Sequence, residues 1–177
     1  MIFAAGPGKG CEKLAFDTRA FRNALGCFPT GVTLVTARTA ARHPMGITVN
    51  SFAAVSLEPP LILWCMQRRS QRFETFVKAE VFTVSVLDAT HAEVSSRLAR
   101  PGEHRLDGIP LLETRSGAPA LADALAVFEC RREAVYDGGD HAVLLGRVVQ
   151  FAFRDKGAPL IFFRGRYHPF SPTGPAR

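Results

Sequence analysis

The chain has 177 residues, of which 47% are hydrophobic and 21% charged, values typical of a globular domain and not of a disordered segment. Its net charge of +6 favours anionic partners, but the basic residues are dispersed and lack the recognition motifs of nucleic-acid-binding proteins. No apolar run approaches the ~20 residues of a membrane span. We expect a flexible leader at 1–15, one domain at 16–170 and a tail at 171–177.

The cysteines and the N-terminal residues indicate an intracellular setting. Cys11, Cys27, Cys65 and Cys130 show no C-x-x-C spacing, and three of them lie in apolar surroundings where a free thiol behaves as a small core residue. The opening MIFAAGPGKG has too few apolar residues before glycine and proline for a signal peptide. We therefore expect a reduced, cytoplasmic protein.

A short helix is predicted near the N-terminus. Asp17 is placed to cap it, Phe16 and Phe21 have the spacing of a hydrophobic staple, and Gly26 ends it. The turn CFPTG then leads into a strand at Val32–Thr36, whose apolar residues alternate.

The segment HPMGITVNSFAAVSLEPP, residues 43–60, has a broken strand pattern. Apolar residues alternate up to Val49 and again from Ala53, but Ser51 occupies a position where the pattern requires an apolar residue. A bulge or break there leaves backbone N–H and C=O groups free to bind a ligand. Ordinary turn residues would give the same pattern, so both interpretations stay open on local grounds.

The rest of the chain is predicted to be mostly strands. Long strands at Ala124–Val135 and Ala142–Phe153 are joined by a turn of hairpin composition at 137–140. The remaining predicted elements are a covered strand at Leu61–Met66, a helix capped by Ser70, a strand at Val81–Leu87, a helix opened by a Thr90–Glu93 capping box, an irregular excursion at 100–121 and a last strand at Pro159–Arg164. Because strands do not alternate regularly with long helices, a closed antiparallel barrel with a few short peripheral helices is favoured over a doubly wound sheet.

Several motifs of common enzymes are missing from the sequence. It has no G-x-G-x-x-G, P-loop or G-x-S-x-G motif, and its five histidines lack the spacing of metal ligands, so no metal site is predicted. No carboxylate pair is spaced for acid–base catalysis. If the protein is an enzyme, we expect a bound cofactor to supply the reactive atoms.

Motifs along nearly the whole chain, about residues 17–168, resemble the flavin reductase family of FMN-binding split barrels. Each motif is weak alone, but their common order is specific. They are FPTGVTLVTA at 28–37, MGITVNSFAAVSLEPPLILWC at 45–65, Ser70, FTVSVL at 82–87, GAPALADALAVFEC at 117–130, GGDHAVLLGRV at 138–148 and PLIFFRGRY at 159–167. The resemblance implies a mainly β, Greek-key split barrel and a homodimeric NAD(P)H:flavin oxidoreductase. It implies FMN or FAD, NADH or NADPH as hydride donor, and a flavin-dependent monooxygenase as recipient of reduced flavin.

The resemblance also implies roles for individual residues. It places His141 of the GDH motif near the nicotinamide, as the catalytic contact. Where the family has Phe–Ala before a basic residue, Leu98–Ala99–Arg100 stands here, which removes an aromatic stacking surface but leaves Arg100 for a phosphate. The residues implied to contact flavin or nicotinamide are Thr30, Thr48, Val49, Asn50, Ser51, Cys65, Ser70, Gln71, Arg100, Gly139, Asp140, His141 and Tyr167.

Two other functions agree with the same motifs. A flavin- or haem-binding module without reductase activity would not need the nicotinamide contact that the GDH motif implies. A split-barrel oxidase acting on a small substrate such as a pyridoxine phosphate would need a dense Arg/Lys/His cluster, which the sequence lacks. Arg68 and Arg69 are interpreted as a solvated loop face in preference to a phosphate clamp.

Overall fold

The helices of the protein are short and lie around a large sheet. The structure is a computed structural model that describes residues 16–170; the predicted leader and tail lie outside this range. None of the helices in the described range is long and apolar enough to cross a membrane. The helices are α1 at Thr18–Leu25, α2 at Phe73–Lys78 and α3 at Ala92–Leu98, with a single 3-10 turn at Ala89–His91.

The strands form one main sheet and two small ones. They are β1 Thr30–Gly31, β2 Thr33–Arg38, β3 Pro44–Val49, β4 Ala53–Leu57, β5 Pro60–Gln67, β6 Val81–Val86, β7 Leu111–Leu112, β8 Ala120–Leu121, β9 Ala126–Gly138, β10 His141–Phe153, β11 Ile161–Phe163 and β12 Arg166–His168. The main sheet has seven antiparallel strands in the order β3-β2-β6-β9-β10-β5-β4. The small sheets are β1-β11-β12 and β7-β8. The predicted mainly β fold is confirmed.

The edges of the main sheet are consecutive in the chain. Strands β3 and β4 are the edge strands, yet three residues, 50–52, connect them. The break predicted in the 43–60 segment is therefore confirmed, and it lies where the chain passes from one edge of the sheet to the other.

Strand β2 separates two hydrophobic cores. Because its side chains alternate, Val35 faces a core that contains Trp64 and Phe82, while Leu34 faces a second core that contains Leu98. Trp64 packs edge-on against Phe82, with the ring centres 5.9 Å apart. The second core lies under α3, so it supports the loop that follows this helix.

The predicted first helix is confirmed, but its apolar face is not covered. Asp17 caps it by accepting hydrogen bonds from the backbone N–H groups of Arg19 and Ala20, and the Phe16 and Phe21 rings lie 5.1 Å apart. No residue of α1 is buried, and Phe21 is 49% exposed. The amphipathic pattern predicted the helix correctly and left its packing partner undefined.

Two predicted helix caps are wrong. Helix α2 begins at Phe73, and Ser70 instead accepts a hydrogen bond from the Arg72 backbone N–H at 3.3 Å, within the preceding turn. The capping box before α3 is formed by Asp88 and His91, not by Thr90 and Glu93. Both errors arise because several polar residues compete for each helix start, and the entry direction of the chain decides between them.

Two strand predictions also need correction. Strand β5 is buried on one face and half-buried on the other, not covered on both, because Cys65 and Gln67 line a cavity. The predicted last strand is shorter than expected and is followed by β12, which the sequence analysis missed. The turn between β11 and β12 uses positive φ angles at Arg164 and Gly165. The β9–β10 hairpin is confirmed, and the excursion at 100–121 contains only the short strands β7 and β8.

Candidate active site

A cavity of about 500 Å³ lies between the broken strand segment and two loops. We call residues 47–51 with Cys65 and Gln67 the strand wall. We call residues 69–71 and 98–102 with His104 the loop wall. His141 lies at the start of β10 and completes the lining. The volume is within the range of small-molecule and cofactor sites.

The contacts of the strand wall explain why the alternation of apolar residues is broken at Ser51. The Ser51 hydroxyl accepts a hydrogen bond from the Cys65 backbone N–H at 2.9 Å and donates to the Cys65 carbonyl at 3.4 Å. The Ser51 side chain therefore takes the place of a backbone hydrogen-bond partner for Cys65 of strand β5. The neighbouring Asn50 is exposed to the cavity, and Thr48 Oγ1 is buried without a hydrogen-bond partner among residues 16–170. A buried hydroxyl without a partner is costly unless a ligand bonds to it.

The loop wall carries most of the charge. In the turn after β5, the side chains of the adjacent Arg68 and Arg69 have different surroundings. Arg68 donates hydrogen bonds to Asp137 and to the Gly139 carbonyl, whereas Arg69 lines the cavity. On the other side, Arg100 lines the cavity beside Pro101 and Gly102. Both Arg68 and Arg69 are exposed, as expected of a solvated loop face, and Arg69 in addition lines the cavity. Sequence spacing does not separate adjacent residues of a turn, whose directions depend on the tertiary fold.

His104 joins the loop wall to strand β3. Its carbonyl accepts a hydrogen bond from the Gly46 N–H at 3.0 Å, and a Cβ at Gly46 would lie 2.7 Å from the Leu106 side chain, so only glycine allows this approach. The His104 side chain is 5% exposed. Burial lowers its pKa, with a smaller lowering from Arg72, while the Gly46 carbonyl and Glu103 act in the opposite direction. The ring is therefore held in its neutral form at neutral pH.

The β9–β10 turn holds the His141 side chain against a carboxylate. His141 Nδ1 lies 2.7 Å from Asp140 Oδ1. This hydrogen bond lowers the pKa of Asp140, and the bond from Arg68 lowers the pKa of Asp137 in the same turn. Because Nδ1 faces Asp140, Nε2 is the ring nitrogen left for a ligand. Gly139 has φ +73°, the left-handed conformation that this tight turn requires.

A smaller cavity of about 110 Å³ adjoins the strand wall. It shares Thr48, Val49 and Asn50 with the larger cavity and is closed by Phe162 and Tyr167. The Tyr167 hydroxyl lies 2.7 Å from Ser95 Oγ, which fixes the ring against α3. Thr30 lies opposite Phe162 in the β1–β11 pair.

The structure brings most of the predicted site residues together. Three of them, Thr30, Gly139 and Asp140, line neither cavity; Asp140 acts on the site through His141. Those around the larger cavity are Thr48, Val49, Asn50, Ser51, Cys65, Ser70, Gln71, Arg100 and His141, and Tyr167 lines the smaller one. The lining residues that sequence reasoning did not assign are Ile47, Gln67, Arg69, Leu98, Ala99, Pro101, Gly102 and His104. Arg69 and Leu98–Ala99 adjoin assigned residues, which is a usable signal, whereas nothing in the sequence points to His104.

The charge of the larger cavity limits its ligands. Two arginines and two histidines line it, and none of its described lining residues is an aspartate or glutamate. The apolar side chains of Ile47 and Val49, both half-buried, line the cavity beside these groups. The cavity therefore suits a ligand with a planar apolar ring, polar ring edges and an anionic tail.

Comparison with known proteins gives a consistent family. The protein family described as "Flavin reductase like domain" matches this chain over residues 25–171. An FMN reductase (NADH), SmoA, from Agrobacterium fabrum is 46% identical over 155 residues, covering 88% of this chain and 87% of that protein. A flavin-dependent monooxygenase reductase subunit, HsaB, from Rhodococcus jostii is 38% identical over 158 residues, covering 89% of this chain and 80% of that protein. Another relative, from Rhizobium meliloti, is longer, and the chain spans about half of it, 49%.

A solved structure shows the same similarity. The Streptomyces globisporus NADH:FAD oxidoreductase SgcE6, in complex with NAD and FAD fragments, superposes with a TM-score of 0.83 at 34% identity. The match covers 88% of this chain and 94% of that chain. The similarity therefore extends over the strands and loops that form both cavities.

Proposed function

The chain belongs to the flavin reductase like domain family, and on that basis we propose that it is an NADH-dependent oxidoreductase that reduces FMN or FAD and supplies reduced flavin to a separate monooxygenase. The relatives named as FMN reductase and NADH:FAD oxidoreductase support the reaction, and the relative named as a monooxygenase reductase subunit supports the recipient. NADPH is a second candidate donor. A binding module without reductase activity is not favoured.

The observation that carries this proposal is the fit of the larger cavity to a flavin. The unpartnered Thr48 hydroxyl and the exposed Asn50 amide lie where ring heteroatoms need hydrogen bonds, beside the apolar surface of Val49. Ser70 and Gln71 lie on the opposite wall with Arg69 and Arg100, the groups that would hold a phosphate. A bound flavin supplies the ring that accepts a hydride from reduced nicotinamide.

The protein's own residues bind and orient the reactants. Hydride transfer needs no protein acid or base, so its rate depends on holding two rings face to face and excluding water. His141 presents Nε2 beside the cavity while Asp140 fixes its other nitrogen, so it serves as an orienting contact for the nicotinamide. Fixed donors on the strand wall stabilise negative charge that develops on the ring.

Anaerobic oxidation of NADH tests the proposed function. We expect NADH consumption that requires added FMN or FAD, followed by reoxidation when oxygen is admitted. NADPH in place of NADH measures donor preference under the same conditions. Flavin binding without NADH oxidation would contradict the proposal and would favour a binding module.

We also infer a closed split barrel for the main sheet. In a flat sheet, six strand spacings would separate β3 from β4 by about 29 Å, whereas the chain from Val49 to Ala53 spans at most ~15 Å. The sheet must therefore curl until its edges approach each other. The Ser51–Cys65 hydrogen bonds continue the β4–β5 pairing into the connecting segment, so this segment leaves β4 in an extended direction. We propose residues 16–170 as one such domain.

A homodimer is the second structural proposal. Phe151 and Phe153, two residues apart on β10, are 61% and 69% exposed on one face of the sheet, and Val149, at the β-bulge just before them, is 47% exposed. Leu57 at the end of β4 is 96% exposed. Exposed apolar surface of this extent favours association. Sedimentation equilibrium should give twice the monomer mass, and Phe151→Asp with Phe153→Asp should shift it towards the monomer; a monomeric wild type would contradict this proposal.

A cytoplasmic location is proposed from the thiols. Cys27, Cys65 and Cys130 are free, and Cys27 is exposed. Burial raises the pKa of the Cys130 thiol to about 12, so it behaves as an inert core residue. An exposed free thiol is maintained in a reducing compartment. Fractionation of cells that produce the protein tests this directly.

A further inference from the structure

A second cavity lies on the far side of His104 from the larger one. Its volume is about 400 Å³, and His104 lines both cavities. The other lining residues come from the turn before β3, from the start of β3, from the segment before α2 and from the first part of the excursion; they are Thr39, His43, Pro44, Met45, Arg72, Arg105 and Asp107. The cavity therefore continues beyond the Ser70–Gln71 turn, where the phosphate end of a flavin would lie.

Arg72 is the first group in this cavity that lacks a partner. It is half-buried, its Nε is fully buried, and among residues 16–170 its side chain forms neither a hydrogen bond nor an ion pair. A buried N–H group without an acceptor is costly, and this applies to the Arg72 Nε. Another arginine of the cavity, Arg105, differs because it forms an ion pair with Asp107, with 2.7 Å between Nε and Oδ2. One uncompensated positive charge therefore remains in the cavity.

His104 is the second such group. Its Nδ1 is buried and has no hydrogen-bond partner within the described part of the chain, while the His104 backbone carbonyl accepts a hydrogen bond from the Gly46 N–H. Arg72 and His104 line the same cavity. Thr39 adds a hydroxyl, whose oxygen accepts a hydrogen bond from the His43 N–H at 3.1 Å and whose proton is free to donate.

We propose that this cavity is a phosphate-binding subsite in which Arg72 and His104 contact a phosphate group that lies outside the flavin cavity. A guanidinium and an imidazole that converge on one space suit a polyanionic oxygen group, and a bound phosphate compensates both unpartnered atoms at once. The phosphate belongs to the adenylate half of FAD, to the 2′-phosphate of NADPH or to inorganic phosphate. The two dinucleotide sources rest on the proposed function, whereas binding of inorganic phosphate does not.

The test compares Arg72→Gln and His104→Gln with Arg131→Gln, an exposed arginine on β9 that lines none of the cavities described above. Three arms are measured for each protein: dissociation constants for FAD and FMN from flavin fluorescence, Michaelis constants for NADPH and NADH, and binding of inorganic phosphate followed by the imidazole signals of His104 and His43. Arg72→Lys is the conservative variant that keeps the charge.

If Arg72 and His104 contact a phosphate, their substitution should weaken the binding of the ligand that carries this phosphate and of no other ligand. Loss of one charge-assisted hydrogen bond should weaken the phosphate-bearing ligand about tenfold. If FAD supplies the phosphate, its affinity falls in Arg72→Gln while FMN affinity stays within about twofold, since Arg72 lines only the second cavity. If NADPH does, its Michaelis constant rises in Arg72→Gln while that of NADH does not. Because His104 lines both cavities, His104→Gln is compared only in the inorganic phosphate arm. If inorganic phosphate is the only ligand of the subsite, the imidazole signals of the variants no longer respond to added phosphate. The dissociation constant for FAD and the Michaelis constant for NADPH then stay unchanged. Arg72→Lys should recover part of each loss.

Two results would overturn the subsite. The first is equal behaviour of all three glutamine variants in every arm. The second is a parallel loss of FMN, FAD and thermal stability in Arg72→Gln, with no recovery in Arg72→Lys, which would show a purely structural role. Failure of the proposed function is separate, because a wild type that does not oxidise NADH can still bind inorganic phosphate at His104.

Discussion

The strand wall and the loop wall face the same cavity but are held in different ways. Thr48 and Val49 belong to β3, which pairs with β2 over its whole length, and Ser51 bonds to the backbone of β5. The loop wall, in contrast, is held to the sheet at few points, of which the contact between Gly46 and His104 is one. The strand wall offers neutral, fixed donors, and the loop wall offers charge. Rigid donors suit an aromatic ring whose position must be precise, whereas loop arginines suit a flexible phosphate tail.

Breaking the strand wall should have the largest effect. Ser51→Ala removes the partner of the Cys65 N–H, so we expect the free energy of unfolding to fall by about 1–3 kcal/mol. Flavin affinity should fall as well, because the Asn50 backbone loses its support. Chemical denaturation measures the first effect and fluorescence titration the second. Ser96→Ala, at an exposed position of α3, is the control; equal stability of the two variants would contradict a structural role for Ser51.

Removing a ligand contact from the strand wall should cost affinity without stability. Asn50 is exposed and its side chain forms no hydrogen bond within residues 16–170, so Asn50→Ala should leave the melting temperature within about a degree or two. Flavin binding should weaken about tenfold through one lost hydrogen bond to the ring. Flavin titration together with thermal unfolding separates this result from that of Ser51→Ala. Unchanged flavin affinity would remove Asn50 from the site.

A substitution in the β9–β10 hairpin, which lies beside the two walls, should have a smaller effect, and this effect concerns the use of NADH. His141→Ala should reduce kcat/KM for NADH several-fold without abolishing flavin binding, because the proposed role of the ring is to orient the nicotinamide. Asp140→Asn is the matched variant, which keeps the ring and removes the carboxylate that orients it. It should show a smaller loss. Steady-state kinetics at saturating flavin measures both, and an unchanged KM and kcat for NADH in His141→Ala would contradict the role.

The smallest effect should be a change in the pH dependence of stability. Because the folded state lowers the pKa of His104, the unfolded chain binds more protons below the ordinary histidine pKa of ~6.5. Its contribution is fully present above that value and is lost as pH falls towards the folded pKa. His91 behaves in the same direction, so the comparison must be made between variants. Denaturation of His104→Gln should show a flatter pH dependence than wild type; identical slopes would contradict the assignment.

The helices and strands were predictable where a local pattern has one solution. Asp17, Phe16 and Phe21 define the start of α1 within a few residues, and the Gly–Gly turn defines the β9–β10 hairpin. The caps of α2 and α3 were not predictable, because Ser70 and Thr90 are good capping residues that compete with Arg72 and Asp88. Tertiary packing sets the direction in which the chain enters each helix, and that direction selects the cap.

The candidate site divides in the same way. The sequence identified Asn50 and Ser51 in the strand wall, because the break in the two-residue pattern marks them and the chain-wide family resemblance implies that they contact the ligand. It did not identify His104, which lies more than fifty residues away from them and reaches the cavity only because Gly46 allows the loop to approach β3. The sequence alone therefore determined the family, the mainly β fold and one wall of the cavity. The tertiary structure decided which charges face that wall, because loop contacts between distant residues leave no periodic pattern in the chain.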